Sequence, residues 1–270
     1  MIDFPPSSLP PLLFIGGGNM ARAIIAGLHG ADIAVCDPAP DTWPCLEELG
    51  CQCIATPVDL LASRRVVILA VKPQHVTQAL ADIAAALGPD HLLISILAGI
   101  TTQHLASLVP DGVRIVRAMP NTPMAIGHGA VGVCAGPGAQ QADIELASSL
   151  FAPAAKVVQV EESHMDAVTA VSGSGPAYVF RFAEALLAAA DTLGLDDSTA
   201  KTLVAATLEG SARYLCADPT LPAAALRQAV TSPGGTTAAA LAVLEQGDFE
   251  SLIISALTAA AHRSQELSGS

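Results

Sequence analysis

At 270 residues, with 51% hydrophobic and 14% charged side chains, the chain is excluded from the disordered polymers and is long enough for one large or two ordinary domains. Its net charge of −13 includes no basic cluster to neutralise a phosphate backbone, so neither nucleic acid nor an anionic membrane surface is expected as a partner. Apolar stretches such as Val66 to Val71 and His91 to Ile100 fall far short of the roughly 20 residues of a membrane span. The opening MIDFPPSSLPP carries an acid and prolines where a signal peptide has a basic region and an apolar core, so a cytoplasmic address is expected.

The first strand, Leu12 to Ile15, runs into Gly16-Gly17-Gly18-Asn19-Met20-Ala21 and then a helix-forming run, Asn19 to His29. That order matches the dinucleotide fingerprint G-x-G-x-x-G/A: Gly16 for the tight turn, Gly18 for approach to a pyrophosphate, Ala21 for close packing of helix on sheet. Amides at the helix start would hold the pyrophosphate. Further strands are expected at Asp32 to Cys36, Val66 to Val71, Leu92 to Ile96, Val113 to Arg117, Val131 to Ala135 and Lys156 to Val160. Helices at Gln74 to Leu87, Thr101 to Leu108 and Gly138 to Phe151 alternate with them; Pro73 opens the first of these and Gly88-Pro89 closes it. This βαβ alternation predicts an α/β fold, a Rossmann-like doubly wound and mainly parallel sheet, over residues 1–162.

Beyond Glu161 the strand signals stop, and residues 163–270 read as an all-helical domain. Its helices are expected at Ser163 to Ala170, Pro176 to Leu193, Asp197 to Ala217, Pro222 to Ala229, Thr236 to Glu245 and Phe249 to Glu266. Alanine falls on nearly every face of Pro176 to Leu193 and Asp197 to Ala217, as in helices packed on all sides. A half-size domain this apolar is expected to complete its core against another subunit.

Asp37 ends the second strand, where an acid accepts from the adenosine ribose 2′-OH; taken alone it favours NAD over NADP, and no arginine lies in Pro38 to Trp43 to receive a 2′-phosphate. A turn or cap role beside Pro38 is the alternative. ILAVKPQ places Ala70, Val71, Lys72 and Pro73 at the carboxyl edge of the sheet, where Lys72 would support nucleotide or substrate or else be a solvated surface lysine. SILAGI, with Ala98 and Gly99, and RAMPNTP, with Asn121, would wall the nicotinamide end or serve as tight connections. In VTSPGGTTAAAL, Ser232, Gly234, Gly235, Thr236 and Thr237 stand directly before a helix, so free amides and hydroxyls converge on a positive dipole end suited to a small carboxylate. The plain alternative is a turn that caps a helix.

Six cysteines form no C-x-x-C pair; Cys51-Gln-Cys53 near Cys45 lacks a histidine at ligand spacing, so reduced thiols and no metal are expected. The layout is similar to that of the β-hydroxyacid dehydrogenases, which carry a lysine a few residues after a glycine-rich turn. Here SGSGPAYVFRF offers Val179 and Phe180 instead. Ketone reduction needs a positioned acid, whereas an iminium arrives protonated and needs only hydride.

FIGGGNMARAI, LAVKPQ, SILAGI, RAMPNTP, SGSGPAYVF and VTSPGGTTAAAL, in that order over nearly the whole chain, resemble pyrroline-5-carboxylate reductase. The resemblance implies NAD(P)H-dependent hydride transfer to the imine carbon of 1-pyrroline-5-carboxylate, giving L-proline in the last step of proline biosynthesis. It implies a helical domain that interlocks with a second subunit, as dimers or larger homo-oligomers. Carried over, Ser232, Gly235, Thr236 and Thr237 match the loop that holds the substrate carboxylate and ring nitrogen, with Thr237 the hydrogen-bond partner or proton donor. Gly16, Gly17, Gly18, Asn19, Met20, Ala70, Val71, Lys72, Pro73, Ala98 and Gly99 match the cofactor side. The Asp37-Pro38-Ala39-Pro40 loop departs from NADPH-using members, which often place Ser, Asn, Thr or Arg there, and the choice between NADP(H) and NAD(H) stays open. Two rival readings are a hydroxy-acid dehydrogenase and a nucleotide-sensing module without catalysis.

Overall fold

The computed structural model describes residues 9–268; most of the proline-rich arm Phe4 to Pro11, with the opening segment read above, lies outside the described residues. Among the described residues one eight-stranded sheet is built from β1 (Leu12–Ile15), β2 (Ile33–Cys36), β3 (Gln52–Ile54), β4 (Val66–Leu69), β5 (Leu92–Ser95), β6 (Arg114–Pro120), β7 (Gly129–Ala135) and β8 (Ala155–Gln159). Their order is β3-β2-β1-β4-β5-β6-β7-β8. The strands from β3 across to β6 are parallel, β7 is antiparallel to β6, and β8 is parallel to β7. The reversal at β7 has a simple cause: the chain between Asn121 and His128 is too short for the crossover that a parallel neighbour requires. Order reverses beside β1, because the chain leaves it for β2 and returns on its other side as β4. A doubly wound sheet opens its ligand crevice at such a point, outside the carboxyl ends of the strands.

Strands β1, β2, β4 and β5 are buried at every position, as a sheet covered on both faces demands. Alternation then assigns Leu12, Phe14, Ile68 and Ile94 to one face with α1 (Asn19–Ala26), and Leu13, Ile15, Leu69 and Leu93 to the other. After the short helices α2 (Trp43–Glu47) and α3 (Val58–Leu61), the second face is packed by α4 (Val76–Ala81) and α5 (Thr102–Ser107). The first face also receives α6 (Gln141–Phe151), whose start is held by a reciprocal Gln140–Asp143 capping box.

Two expectations need correction. The single helix Gln74 to Leu87 is three pieces: a 3₁₀ turn at Pro73–His75, α4, and a second 3₁₀ turn at Ala84–Ala86. Bonds of the i to i+3 type, Ile83 N to Leu80 O at 3.1 Å and Ala86 N to Ile83 O at 2.9 Å, tighten the end and keep Ile83 and Leu87 on the sheet. The strand β3 was not foreseen; three residues, none fully buried, leave too little pattern to read.

Beyond β8 the chain is helical: α7 (Met165–Val168), a π turn at Thr169–Gly173, α8 (Gly175–Thr192), α9 (Asp197–Ala217), α10 (Ala223–Ala229), α11 (Thr236–Gln246) and α12 (Phe249–Ser268). Two compact units result, one reaching to Pro176 and taking in the chain from Ala259 on, the other Ala177–Thr258. In the second unit only Ala190 and Ala200 are buried. Large apolar side chains there stand in the open, among them Phe180 at 63% exposure, Leu252 at 64% and Val243 at 67%. No helix of the described residues is long and apolar enough to cross a membrane.

Candidate active site

The carboxyl ends of β1, β2 and β4 converge on the glycine-rich turn. Pairing of Ile15 with both Cys36 and Leu69 brings the residues that follow each strand side by side. Gly16 then crosses β4 with no room to spare. Its φ is +102°, and a Cβ there would stand 2.7 Å from the Ala70 carbonyl oxygen and 3.0 Å from Val71 N. Only glycine takes that backbone at that distance. The crossing is bonded on both sides, Gly16 N donating to Cys36 O and Ala70 N to Ile15 O, each at 2.8 Å.

Gly17 N donates to Asp37 Oδ2 at 2.6 Å, and Ala39 N donates to Asp37 Oδ1 at 2.8 Å. The indole Nε1 of Trp43 donates to Asp37 O at 3.0 Å and pins the loop behind it. Asp37 is thus lodged against the glycine turn, and it also makes the turn contact that the plainer reading anticipated. Beside Gly18 the space is open. A Cβ there would meet nothing within 4 Å, and α1 has no side-chain cap ahead of Arg22, whose amide closes the first turn on Gly18 O. Uncapped amides at the positive end of a helix dipole, with no side chain above them, are suited to hold a diphosphate. Asn19 accepts from Arg22 on the rim, Met20 packs against the core below, and Lys72 is exposed.

The remaining loops of this sheet edge are built for close packing. Gly99, with φ of +72°, lies against α12, where a Cβ would stand 2.7 Å from Leu267 Cβ; Ala98 beside it is half-buried. Asn121 is buried and spends its amide structurally: Ala130 N donates to its Oδ1 at 2.8 Å and its Nδ2 donates to Ser172 O at 3.0 Å. The π turn carries Ser172 and Gly173, and Met119 occupies the space a Gly173 Cβ would need. RAMPNTP and SGSGP, read separately in the sequence, therefore form one joint, and an inserted π turn is a common device at functional sites.

A buried ion network behind this joint was not anticipated. Arg117, 2% exposed, meets Glu162 at 3.4 Å and Asp166 at 3.9 Å. Glu162 in turn accepts from Thr102 N at 2.7 Å and from the Thr102 hydroxyl, while Ser264 of α12 donates to Asp166 at 2.6 Å. The signal was present as a charge inside the apolar strand RIVRAMP. Cys134, opposite Arg117 on β7, has its thiol pushed up to about 11, first by burial and then by Glu162. All six cysteines are free thiols.

The second unit carries the other predicted cluster. Between α10 and α11, Ser232 O accepts from Gly235 N at 3.0 Å, Gly234 takes φ of +71°, and the Ser232 hydroxyl sits where a Gly235 Cβ would be. Gly235 is the N-cap of α11 and gives it no side-chain cap, so the first amides of the helix are free beside Thr236 and the half-buried Thr237. Such an arrangement is chemically suited to a small carboxylate, with a hydroxyl next to it.

Two family models match the chain: "Pyrroline-5-carboxylate reductase dimerisation" over residues 162–267, and "NADP oxidoreductase coenzyme F420-dependent" over residues 11–99. The pyrroline-5-carboxylate reductase of Haemophilus influenzae is 40% identical over 95% of this chain and 97% of its own length. Among solved structures, a pyrroline-5-carboxylate reductase from Coxiella burnetii superposes with a TM-score of 0.90 at 38% identity, covering 97% of this chain and 99% of that one. A pyrroline carboxylate reductase from Plasmodium falciparum with NADP bound superposes with a TM-score of 0.85 at 29% identity, covering 96% and 98%.

Proposed function

The chain belongs to the pyrroline-5-carboxylate reductase family, and from that premise we propose how its residues divide the work of the reaction. The activity is NAD(P)H-dependent reduction of 1-pyrroline-5-carboxylate to L-proline, the last step of proline biosynthesis, by a homo-oligomer. When bound, the reduced nicotinamide supplies the hydride that the imine carbon accepts. Residues 1–162 act as the nucleotide domain and residues 163–270 as the domain of substrate binding and dimerisation, in a cytoplasmic enzyme.

On the nucleotide side, Gly16, Gly17 and Gly18 shape the turn, the amides of Asn19 and Met20 hold the pyrophosphate, and Asp37 addresses the adenosine ribose. Ala70 to Pro73, Ala98, Gly99 and Asn121 form the wall toward the nicotinamide. On the substrate side, Ser232, Gly234, Gly235 and Thr236 hold the carboxylate through the free amides of α11. Thr237 hydrogen-bonds the ring nitrogen. Because the imine nitrogen enters already protonated, Thr237 has to orient the ring and stabilise the amine that forms, a task within the reach of a hydroxyl.

The observation that carries this reading is the open cradle above Gly18 at the sheet's switch point, where no Cβ and no cap intrudes. Oxidation of NADH or NADPH by the purified chain in the presence of 1-pyrroline-5-carboxylate tests the activity. Thr237→Ala should lower kcat/KM by roughly 10- to 100-fold while leaving nucleotide affinity unchanged. Unaltered steady-state kinetics would remove Thr237 from the site.

A further inference from the structure

Asp37 faces the glycine turn with a carboxylate, and the loop that follows it is acidic or neutral throughout. Between Asp37 and Gly50 the chain has four acids, Asp37, Asp41, Glu47 and Glu48, and no Lys, Arg or His. The basic group on the neighbouring helix, Arg22, is engaged by Asn19. The loop is also held in place: Ala39 N and Gly17 N donate to the two Asp37 oxygens at 2.8 and 2.6 Å, Thr42 Oγ1 donates to Ala39 O at 2.8 Å, and Trp43 Nε1 to Asp37 O at 3.0 Å. A side chain tied to two backbone amides does not swing aside for an arriving ligand.

We infer that Asp37 makes this chain select NADH over NADPH. Each Asp37 oxygen already takes one amide proton and keeps a lone pair, so the group accepts hydrogen bonds and donates none. A ribose 2′-hydroxyl is a donor and completes that set. A 2′-phosphate brings only acceptors and up to two negative charges, and no cation within the loop offsets them. The inference rests on the reductase reading above and goes beyond it, since the related structure from Plasmodium falciparum carries NADP and the matching N-terminal family model is described as an NADP oxidoreductase.

Equilibrium titration of the full-length chain with NADH and with NADPH, without substrate and followed by nucleotide fluorescence, provides a readout independent of turnover. NADH should bind at least about tenfold more tightly at low ionic strength, and added salt should narrow the gap by screening the repulsion. Adenosine 5′-monophosphate should likewise compete better than adenosine 2′,5′-bisphosphate. Asp37→Asn keeps an acceptor for one amide and removes the charge; it should bring the two affinities within about threefold of each other, chiefly by strengthening NADPH. Asp37→Ser provides the same test in a smaller side chain should the amide variant melt early. Equal or tighter NADPH binding by the unsubstituted chain, or a ratio unmoved by both substitutions, would overturn the inference. Failure to bind either nucleotide would instead overturn the reductase reading, and the inference with it.

Discussion

Gly16 and Gly18 stand two positions apart in one turn, yet a Cβ at Gly16 meets backbone and one at Gly18 meets nothing, so on the proposed nucleotide site alanine at each should separate stability from binding. At Gly16 the new methyl meets the Ala70 carbonyl at 2.7 Å, with the backbone at φ of +102°. Strain in a region that L-residues avoid costs about 1–3 kcal/mol, and displacing a hydrogen-bonded strand end costs about as much again. A total of roughly 4 kcal/mol lowers the Tm of a chain this size by about 8–16 °C. At Gly18 φ is −68° and the methyl meets nothing within 4 Å, so the fold loses at most the N-cap preference for glycine over alanine, about 1 kcal/mol or less. Its methyl does, however, fill the cradle over the free amides of α1. Gly18→Ala should therefore melt within about 4 °C of the parent and bind nucleotide about tenfold or more weakly. Thermal melts with and without nucleotide read both quantities, because a ligand at 100 times its Kd adds about 2.7 kcal/mol of stability. Full nucleotide affinity in Gly18→Ala, or an unchanged melt in Gly16→Ala, would refute the assignment of the turn.

Glu162→Gln should lower stability by about 3 kcal/mol, since it leaves the 2% exposed Arg117 with only Asp166, 3.9 Å away; a melt within a degree or two of the parent would deny the network a structural role. With a thiol reagent near neutral pH, the exposed Cys45 and Cys216 should react quickly and the buried Cys36, Cys51 and Cys134 slowly, as counted by mass spectrometry. Burial pushes both Cys51 and Cys134 up to about 11 from an ordinary 9, so an unfolded chain releases protons that the folded one retains. That contribution favours folding fully below about pH 9 and is lost as pH rises toward 11; Cys134→Ala should accordingly lose less stability than the parent between pH 9 and 11 in denaturant titrations. Leu252→Asp on the exposed face of α12 should shift the oligomer toward monomer in sedimentation and lower its Tm, whereas an unaltered sedimentation profile would place the subunit contact elsewhere.

What could be read from the chain alone follows the range of the interactions. Leu12 to Ala26 declared itself because the constraint is local: an apolar strand, a glycine where φ must be positive, a small residue where helix meets sheet. Asp37 was legible as a residue but its partner was not. The bond to Gly17 spans 20 positions and exists because Ile15 pairs with Cys36, a register that composition does not reveal. Arg117 shows the same limit more sharply, since its partners Glu162 and Asp166 lie beyond two further strands. Asn121 was placed at the right edge of the sheet, while its commitment to Ala130 and Ser172 depends on a π turn that no residue pattern announces. The short β3 and the breakage of the helix after Pro73 were lost for another reason. Over three to six residues, tertiary packing outweighs periodicity.

The two units stand in opposite thermodynamic positions, and this bears on how the enzyme is held together. The sheet unit buries its strands completely and tolerates a fixed crossing such as Gly16 on Ala70 because the surrounding core over-determines it. The segment Ala177–Thr258 buries two alanines and exposes Phe180, Val243 and Leu252 in a single protomer. Fully burying a side chain of that size contributes about 1.5–3 kcal/mol, so a handful of them covered by a second subunit amounts to most of a typical folding free energy. Folding and association are then one equilibrium for this segment, and its stability depends on protomer concentration. The loop from Ser232 to Thr237 belongs to that segment. On the proposed assignment of this loop to the substrate, assembly that covers the segment should support the orientation of Thr237, and dilution into monomer should weaken substrate binding together with stability.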